Sequence, residues 1–355
     1  MPEGAVYDGD FYGIYNLTYI GGIYTGNCGL FQTALDAEIK NVVLINTDIR
    51  IYHSNITVVT VAPLCANVNG DCKITNCHAY GNISIEGNTI SAVGGLLGLC
   101  SPYEGSVKGP TITRCHSEVN ITSTTPATED WNPGDVGGLV AFLELGVIRD
   151  CYSTGNIDTM NHFVGGLVGY LQLSEVRNCY ASGNIKGSNY IGGLIGYIWT
   201  IPPHSDDEEV PESERMSWIY NSFSLNNAIT LVDDGRSLEF ARSVGNFLGR
   251  DILNWCFHWD DTENHQYIIA EISGSSALSS TKISVHTSDE YNIFTNAAGT
   301  VNRSQAMSMS NYPWDFGNIW SIEEGESYPY IEVNLKREDF QLQSIPFPPK
   351  YRKMS

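Results

Sequence analysis

The chain has 355 residues, 42% of them hydrophobic, with 19 Lys and Arg against 40 Asp and Glu, a net charge of −21. So acidic a field repels nucleic-acid phosphates and anionic lipids, and no apolar run reaches the ~18 residues of a membrane span, so neither nucleic acid nor membrane insertion is expected. The length suits one large domain or two ordinary ones.

The opening stretch, MPEGAVYDGDFYGIYN, has neither the basic nor the apolar region of a secretory signal, so export would need a longer precursor or another route. The chain carries 35 glycines and 20 tyrosines and no long stretch with a helical apolar period. Short strands joined by many turns are therefore predicted. From Cys28 onward the chain repeats itself. CGLF at Cys28, IKNVVLINTDI from Ile39 and VAPLCA from Val61 are divergent traces. Clear glycine pairs follow at Gly94-Gly95, Gly137-Gly138, Gly165-Gly166 and Gly192-Gly193, with spacings of 43, 28 and 27, and VGNFLG from Val244 is a late, degraded copy. A second block is better kept: ITNCHAYGNI from Ile74, ITRCHSEVNI from Ile112, IRDCYSTGNI from Ile148, VRNCYASGNI from Val176, and IYNSFSLNNAI from Ile219 with Ser222 for the cysteine.

A unit of 27 or 28 residues with three apolar segments (GGLVGY, EVRNCYA and GNIKG) suits one coil of a right-handed parallel β-helix, an all-β solenoid in which each coil adds a strand to three parallel sheets. Coils ~4.8 Å apart would make six to eight of them a rod of roughly 30–40 Å. Equivalent residues then lie above one another. Glycines mark positive φ or close backbone approach. Cys77, Cys115, Cys151 and Cys179 form one inward ladder, with the small residue two positions on (Ala181, for instance) sharing their parity. Asn82, Asn120, Asn156, Asn184 and Asn227, five residues after each Cys or Ser222, form another. An asparagine tolerates a left-handed bend and can hydrogen-bond its counterparts, so these are placed inward or in tight turns. The three-residue step from Val176 to Cys179 breaks strand alternation and predicts a bend between them.

Nine cysteines is an odd number, and no CxxC pair occurs, so zinc is not expected. Stacked buried thiols are predicted for the ladder and for Cys65, while the state of Cys28, Cys72, Cys100 and Cys256 stays open, with Cys65–Cys72 or Cys72–Cys100 as alternative bridges. His78, His116, Tyr152, Tyr180 and Phe223 follow the ladder position, and alternation points them outward. Two readings are open for them: a ring platform that stacks glycans, with Tyr152 and Tyr180 replaceable by alanine without loss of fold, or a self-packed ladder, covered or solvated. The acidic insertion PPHSDDEEVPESER (202–215) reads as a solvated loop, and Asp206, Asp207, Glu208 and Glu209 hold calcium at most loosely because they lack spaced ligand order. No other cofactor is expected. The sequons at Asn16, Asn55, Asn82, Asn120 and Asn302 include two ladder asparagines. No convergent carboxylate pair stands out for glycoside cleavage, and neither GxSxG nor HExxH occurs.

GGLLG (94–98), GGLVG (165–169), GGLIG (192–196) and the variant GGLVA (137–141) resemble the GLUG repeat, Gly-Leu-any-Gly, of large secreted bacterial surface proteins such as haemagglutinin-like adhesins. AVYDGDFYGIYNLTY (5–19) is similar to the opening of such domains, WCFHWDD (255–261) to an NCYWD element, and Trp314-Asp315-Phe316, Trp320 and Tyr328-Pro329-Tyr330 to their terminal segment. The resemblance implies an adhesin-like or structural module, extracellular or on the cell surface, that is not an enzyme and binds a glycan or protein. A virion fibre or spike component and a polysaccharide-processing β-helix are the alternatives. The expected organisation is a β-helix over 1–243, a last coil and cap over 244–335, and an extended tail over 336–355 that leads to, or docks on, another subunit or domain.

Overall fold

The computed structural model describes residues 1–21, 26–52, 59–86, 90–103, 108–124, 134–188, 190–199, 217–226, 229–232, 240–241, 244–248, 252–259, 270–273, 300–301, 309, 314–324, 327–336 and 351–353. Among them the regular structure is β-strand, with no α-helix.

Residues 163–187 show how one coil is made. Strand Phe163–Gly165 ends at a corner on Gly166 and Leu167, and strand Val168–Gln172 follows. A second corner at Leu173 (φ 48°) leads to Glu175–Arg177, and Asn178 (φ 53°) then kinks the chain into Tyr180–Ala181 and Ile185–Gly187. Every strand pairs in parallel with its equivalent one coil on: Val164 with Ile191, Val168 with Ile195, Val176 with Ile219, Tyr180 with Phe223 and Ile185 with Ile229. The stack gives two seven-stranded sheets and a 20-stranded one. The first runs through strands of the Phe163–Gly165 type, the second through those of the Val168–Gln172 type. The third collects the kinked remainder of each coil. The molecule is a parallel β-helix, and its two narrow sheets trace seven coils.

The coil is cut differently from the predicted three segments. GGLVGY is not one strand, because its glycine pair ends the first strand and turns the corner. None of the paired glycines has positive φ. They are required by close approach. A Cβ on Gly138 would lie 2.0 Å from the Gly166 carbonyl oxygen and 2.4 Å from Ser153 Oγ, and one on Gly166 would lie 2.2 Å from the Gly193 oxygen and 2.8 Å from Ala181 Cβ. The glycine corner and the small residue two after each cysteine thus face each other across a thin core, which is why the two blocks recur together. Gly138→Val is accordingly expected to cost about 1–3 kcal/mol by overpacking, read as a lowered denaturation midpoint with an unchanged slope. Pro63 occupies the same corner position in an earlier coil, so a neutral result would mean that a single coil can rebuild that corner alone.

The left-handed bends fall elsewhere than predicted. They lie one residue before the ladder position, at Asn41, Asn76, Arg114, Asp150 and Asn178 (φ 52–56°). This confirms a bend between Val176 and Cys179. Their side chains link successive coils: Asn41 Nδ2 donates to Asp8 Oδ1 at 2.9 Å, Asn76 Nδ2 to Asn41 Oδ1 at 3.1 Å, and Asn178 Nδ2 to Asp150 Oδ1 at 2.9 Å. The asparagines five after the cysteine are exposed instead, because alternation spends the inward positions on Ile83, Ile121, Ile157 and Ile185. They still bond vertically, Asn120 Nδ2 to Asn82 Oδ1 at 3.1 Å, then the backbone N–H of Asn156 and of Asn184 to the preceding side-chain oxygen at 3.0 and 2.9 Å. Asn227 lies outside the described residues.

Inside, Leu64, Leu96, Leu139, Leu167 and Leu194 stack at 0% exposure, with the cysteine ladder in the same core. Cys28, Cys65, Cys72, Cys77, Cys100, Cys115, Cys151 and Cys179 are buried free thiols, so neither alternative bridge forms, and the Cys256 side chain is outside the described set. The N–H groups of Cys77 and Cys115 point at the sulfur of the next coil at 3.4 and 3.3 Å. Burial pushes the Cys28 thiol up to about 11 and that of Cys65 to about 12, so these sulfurs stay protonated and unreactive.

The C-terminal segment returns along the outside of the third sheet. Trp314, Trp320 and Ile331 pack on Tyr152, Tyr180, Phe223 and Leu225. Val333 and Leu335 then pack on Val43, Ile45 and Tyr80, and the Lys336 amine reaches Asp10. The start of the predicted tail therefore docks on this chain's own first coils, and Val333–Leu335 also pairs in parallel with Tyr351–Lys353.

Candidate functional site

The predicted ring ladder exists in register: His78 beside His116, then Tyr152, Tyr180 and Phe223. Its rings stack, His116 on Tyr152 at 4.5 Å and 11°, Tyr152 on Tyr180 at 5.0 Å and 2°. Alternation does send these side chains out of the solenoid core, but they are not exposed. All five are buried to 1% exposure or less. Trp314 and Trp320 lie against Tyr180, and the Tyr180 hydroxyl donates to the Pro329 carbonyl at 2.7 Å. The covering segment comes from far along the chain, so local alternation could not reveal it. A sugar has no access to these faces, and the ladder is the seat of the C-terminal segment. Tyr152→Ala or Tyr180→Ala would open a hole in that seat, contrary to the tolerance expected from sequence.

At the far end of the ladder, His78 Nδ1 and His116 Nδ1 are 2.8 Å apart, and Tyr80 Oη meets His116 Nε2. One arrangement satisfies all three groups: the Tyr80 hydroxyl donates to His116 Nε2, and His116 Nδ1–H donates to His78 Nδ1. Burial holds His78 neutral, its pKa depressed to about 3. Among the described residues no three His, Cys, Asp or Glu side chains converge as a metal site. Asp206, Asp207, Glu208 and Glu209 lie outside the described residues, as do the sequons at Asn55 and Asn302.

A second set of rings, which the sequence reading did not single out, does reach the surface. Phe142, Tyr170 and Tyr197 stand in register on the outer face of the second sheet. Phe163, from the first sheet, and Tyr190 join them around the corner. Neighbouring rings are 4.7–5.3 Å apart, and all five are half-buried. The signal was present in the repeat: GGLVAF, GGLVGY and GGLIGY carry an aromatic at their sixth position, which points out because the fifth, two residues before the next inward Leu or Ile, does not. Polar groups border the rings. Asp135 is in register with Phe163, and Gln172 Nε2 donates to Glu144 Oε1 at 3.0 Å. Burial pushes the Asp135 carboxyl well above its usual range and raises that of Glu144. Tyr170 is raised by burial first, then by Tyr197, Asp135 and Glu144. The patch is thus a half-buried aromatic surface with phenol and carboxyl groups at its border.

The family described as the GLUG motif matches residues 132–158 and 161–186. Each match spans one coil, from a first-sheet strand (Asp135–Gly137, Phe163–Gly165) to the end of the third sheet (Ile157–Thr159, Ile185–Gly187). No curated protein matches the chain. GLUG motifs occur in extracellular, haemagglutinin-like proteins. The two coils that match the GLUG motif also carry Phe142, Phe163 and Tyr170.

Proposed function

We propose that the chain is a non-catalytic, extracellular or cell-surface module, and that the half-buried ring cluster of Phe142, Phe163, Tyr170, Tyr190 and Tyr197 binds a glycan. The observation that carries this reading is the cluster itself: five rings at 4.7–5.3 Å from their neighbours, on a rigid outer face, bordered by Asp135, Glu144 and Gln172. Sugars present apolar C–H patches beside hydroxyls, so they are held by apolar rings with a few fixed polar groups. Tyrosine supplies both. A carboxyl whose neutral form burial favours offers a sugar hydroxyl both an O–H donor and an acceptor oxygen. The net charge of −21 disfavours acidic glycans, so the expected ligand is a neutral one.

The test is a glycan array probed with the parent chain and with a Tyr170→Ala, Tyr197→Ala double variant whose melting is checked alongside. Removing two central rings is expected to weaken binding by at least about tenfold, the size of a modest hot spot. No retained glycan on the parent, or undiminished binding by the double variant, rules the cluster out. A parent that assembles with particle proteins and binds no sugar would favour the virion-component reading.

A further inference from the structure

The first coil is one end of the stack. Among the described residues its strands Val6–Asp8, Gly13–Tyr15, Thr18–Gly21 and Gly26–Cys28 are each paired on one side, with Glu38–Lys40, the start and the end of Val43–Tyr52, and Val59–Val61. Inward residues that are sealed one coil later are open here. Tyr7 is 36% exposed against 0% for its register partner Ile39, and Tyr19 is 37% exposed against 1% for Ile49. Ile14, Leu17, Leu30 and Phe31 pack on the core yet remain only partly buried. Sheet edges are ordinarily protected by charge or proline. Beyond Val6–Asp8, where Asp8 pairs with Lys40, and Asp10, which holds Lys336, this one has neither. Phe11 to Leu35 is 25 residues without a charged side chain, the longest such run in the chain, and Ile20 stands 56% exposed on it. Among the described residues the edge is closed at two places: Met1, whose carbonyl accepts from Leu35 N–H at 3.3 Å, lies on the Phe31–Leu35 strand, and Lys336, whose N–H donates to the Phe11 carbonyl at 3.1 Å, pairs with Tyr12.

We infer that this edge is an interface for a second copy of the chain, stacked end to end through the first coils. The edge has the shape of the coil-on-coil contact that builds the rest of the solenoid: open backbone donors and acceptors around an apolar centre. The partner that matches it is another coil edge of the same cross-section, and the uncharged run Phe11–Leu35 brings no like charges together over most of that edge. A two-fold arrangement closes on itself, pairing Thr18–Gly21 antiparallel with its own copy. Asp48 N–H donates to the Leu17 carbonyl at 2.9 Å, so in the alternating pattern of a parallel strand the backbone groups of Thr18 and Ile20 face away from the second coil, towards the partner.

The experiment is sedimentation equilibrium over a concentration series, with hydrogen exchange, on the parent chain, Ile20→Lys and Val6→Lys. Both side chains are exposed and outward-pointing, so each variant should keep the parent's circular dichroism and melting when measured as a monomer. The parent is expected to sediment at twice the chain mass with slow exchange at Thr18 and Ile20. Ile20→Lys places like charges across the two-fold and should weaken the dimer at least about tenfold, freeing those amides. A parent that stays monomeric, a dimer indifferent to both substitutions, or mass that grows without limit overturns the inference; the last would place the first coil on the far end of the next copy.

Discussion

Leu167→Asp is expected to yield no soluble, folded protein. Leu167 is fully buried at the corner between the two narrow sheets, and its backbone is bonded to both neighbouring coils: its carbonyl accepts from Leu139 N–H at 2.9 Å, and its N–H donates to Leu194 at 2.8 Å. Losing a buried leucine costs about 2–5 kcal/mol. An unpaired carboxylate in the same place costs several more, because the ladder leucines above and below offer it nothing to bond. Whole domains are stable by only about 5–15 kcal/mol. In a solenoid the damage also spreads, since each coil's stability is lent by its neighbours and a failed coil leaves two new open edges. Leu167→Met, close in volume, should cost less than about 1.5 kcal/mol and keeps the comparison fair. Soluble β-rich Leu167→Asp protein with the parent's melting temperature would contradict the stacking described above.

How much of this was legible depended on whether the cause was local or repeated. The vertical register was, because equal spacing forces equal residues into one column: Cys77, Cys115, Cys151 and Cys179 are inward and free. The parity of Ala181 followed from period-2 alternation. Where the left-handed corner falls was not legible, since Asn178 and Asn184 are equally able to adopt it and only the packing of Cys179 under the kink decides. The fate of the ring ladder was hidden for another reason. Tyr180 and its partner Pro329 are 149 residues apart, and nothing near Tyr180 announces what lands on it. The outer ring cluster could have been found. Phe142, Tyr170 and Tyr197 occupy one column of the aligned repeats, and a column of large aromatics on an outward position is a surface feature with no packing role inside the coil.

Trp320→Ala should separate the C-terminal segment from the solenoid without unravelling the coils. Trp320 is 1% exposed; its ring stacks on Trp314 at 4.4 Å and lies 6.0 Å from Tyr152 and 6.2 Å from Tyr180. Cutting a buried tryptophan to alanine costs about 3–5 kcal/mol. What else holds that stretch lies outside the coil-to-coil ladder: Trp314 and Ile331 in the same cluster, the Tyr180–Pro329 hydrogen bond and a one-residue antiparallel pairing of Ser321 with Tyr330. The loss is therefore expected to appear as local opening. Amides of Trp320, Ser321 and Tyr330 should exchange faster by roughly two orders of magnitude or more, at 1.4 kcal/mol per tenfold, while those of Leu139, Leu167 and Leu194 keep their protection. The bared Tyr152, Tyr180 and Phe223 should then bind a hydrophobic dye. Trp320→Phe keeps a ring in the seat and should recover most of the protection. If coil and segment amides lose protection together, the segment is an integral wall of the β-helix, and the ladder beneath it is core in the same sense as the leucine column.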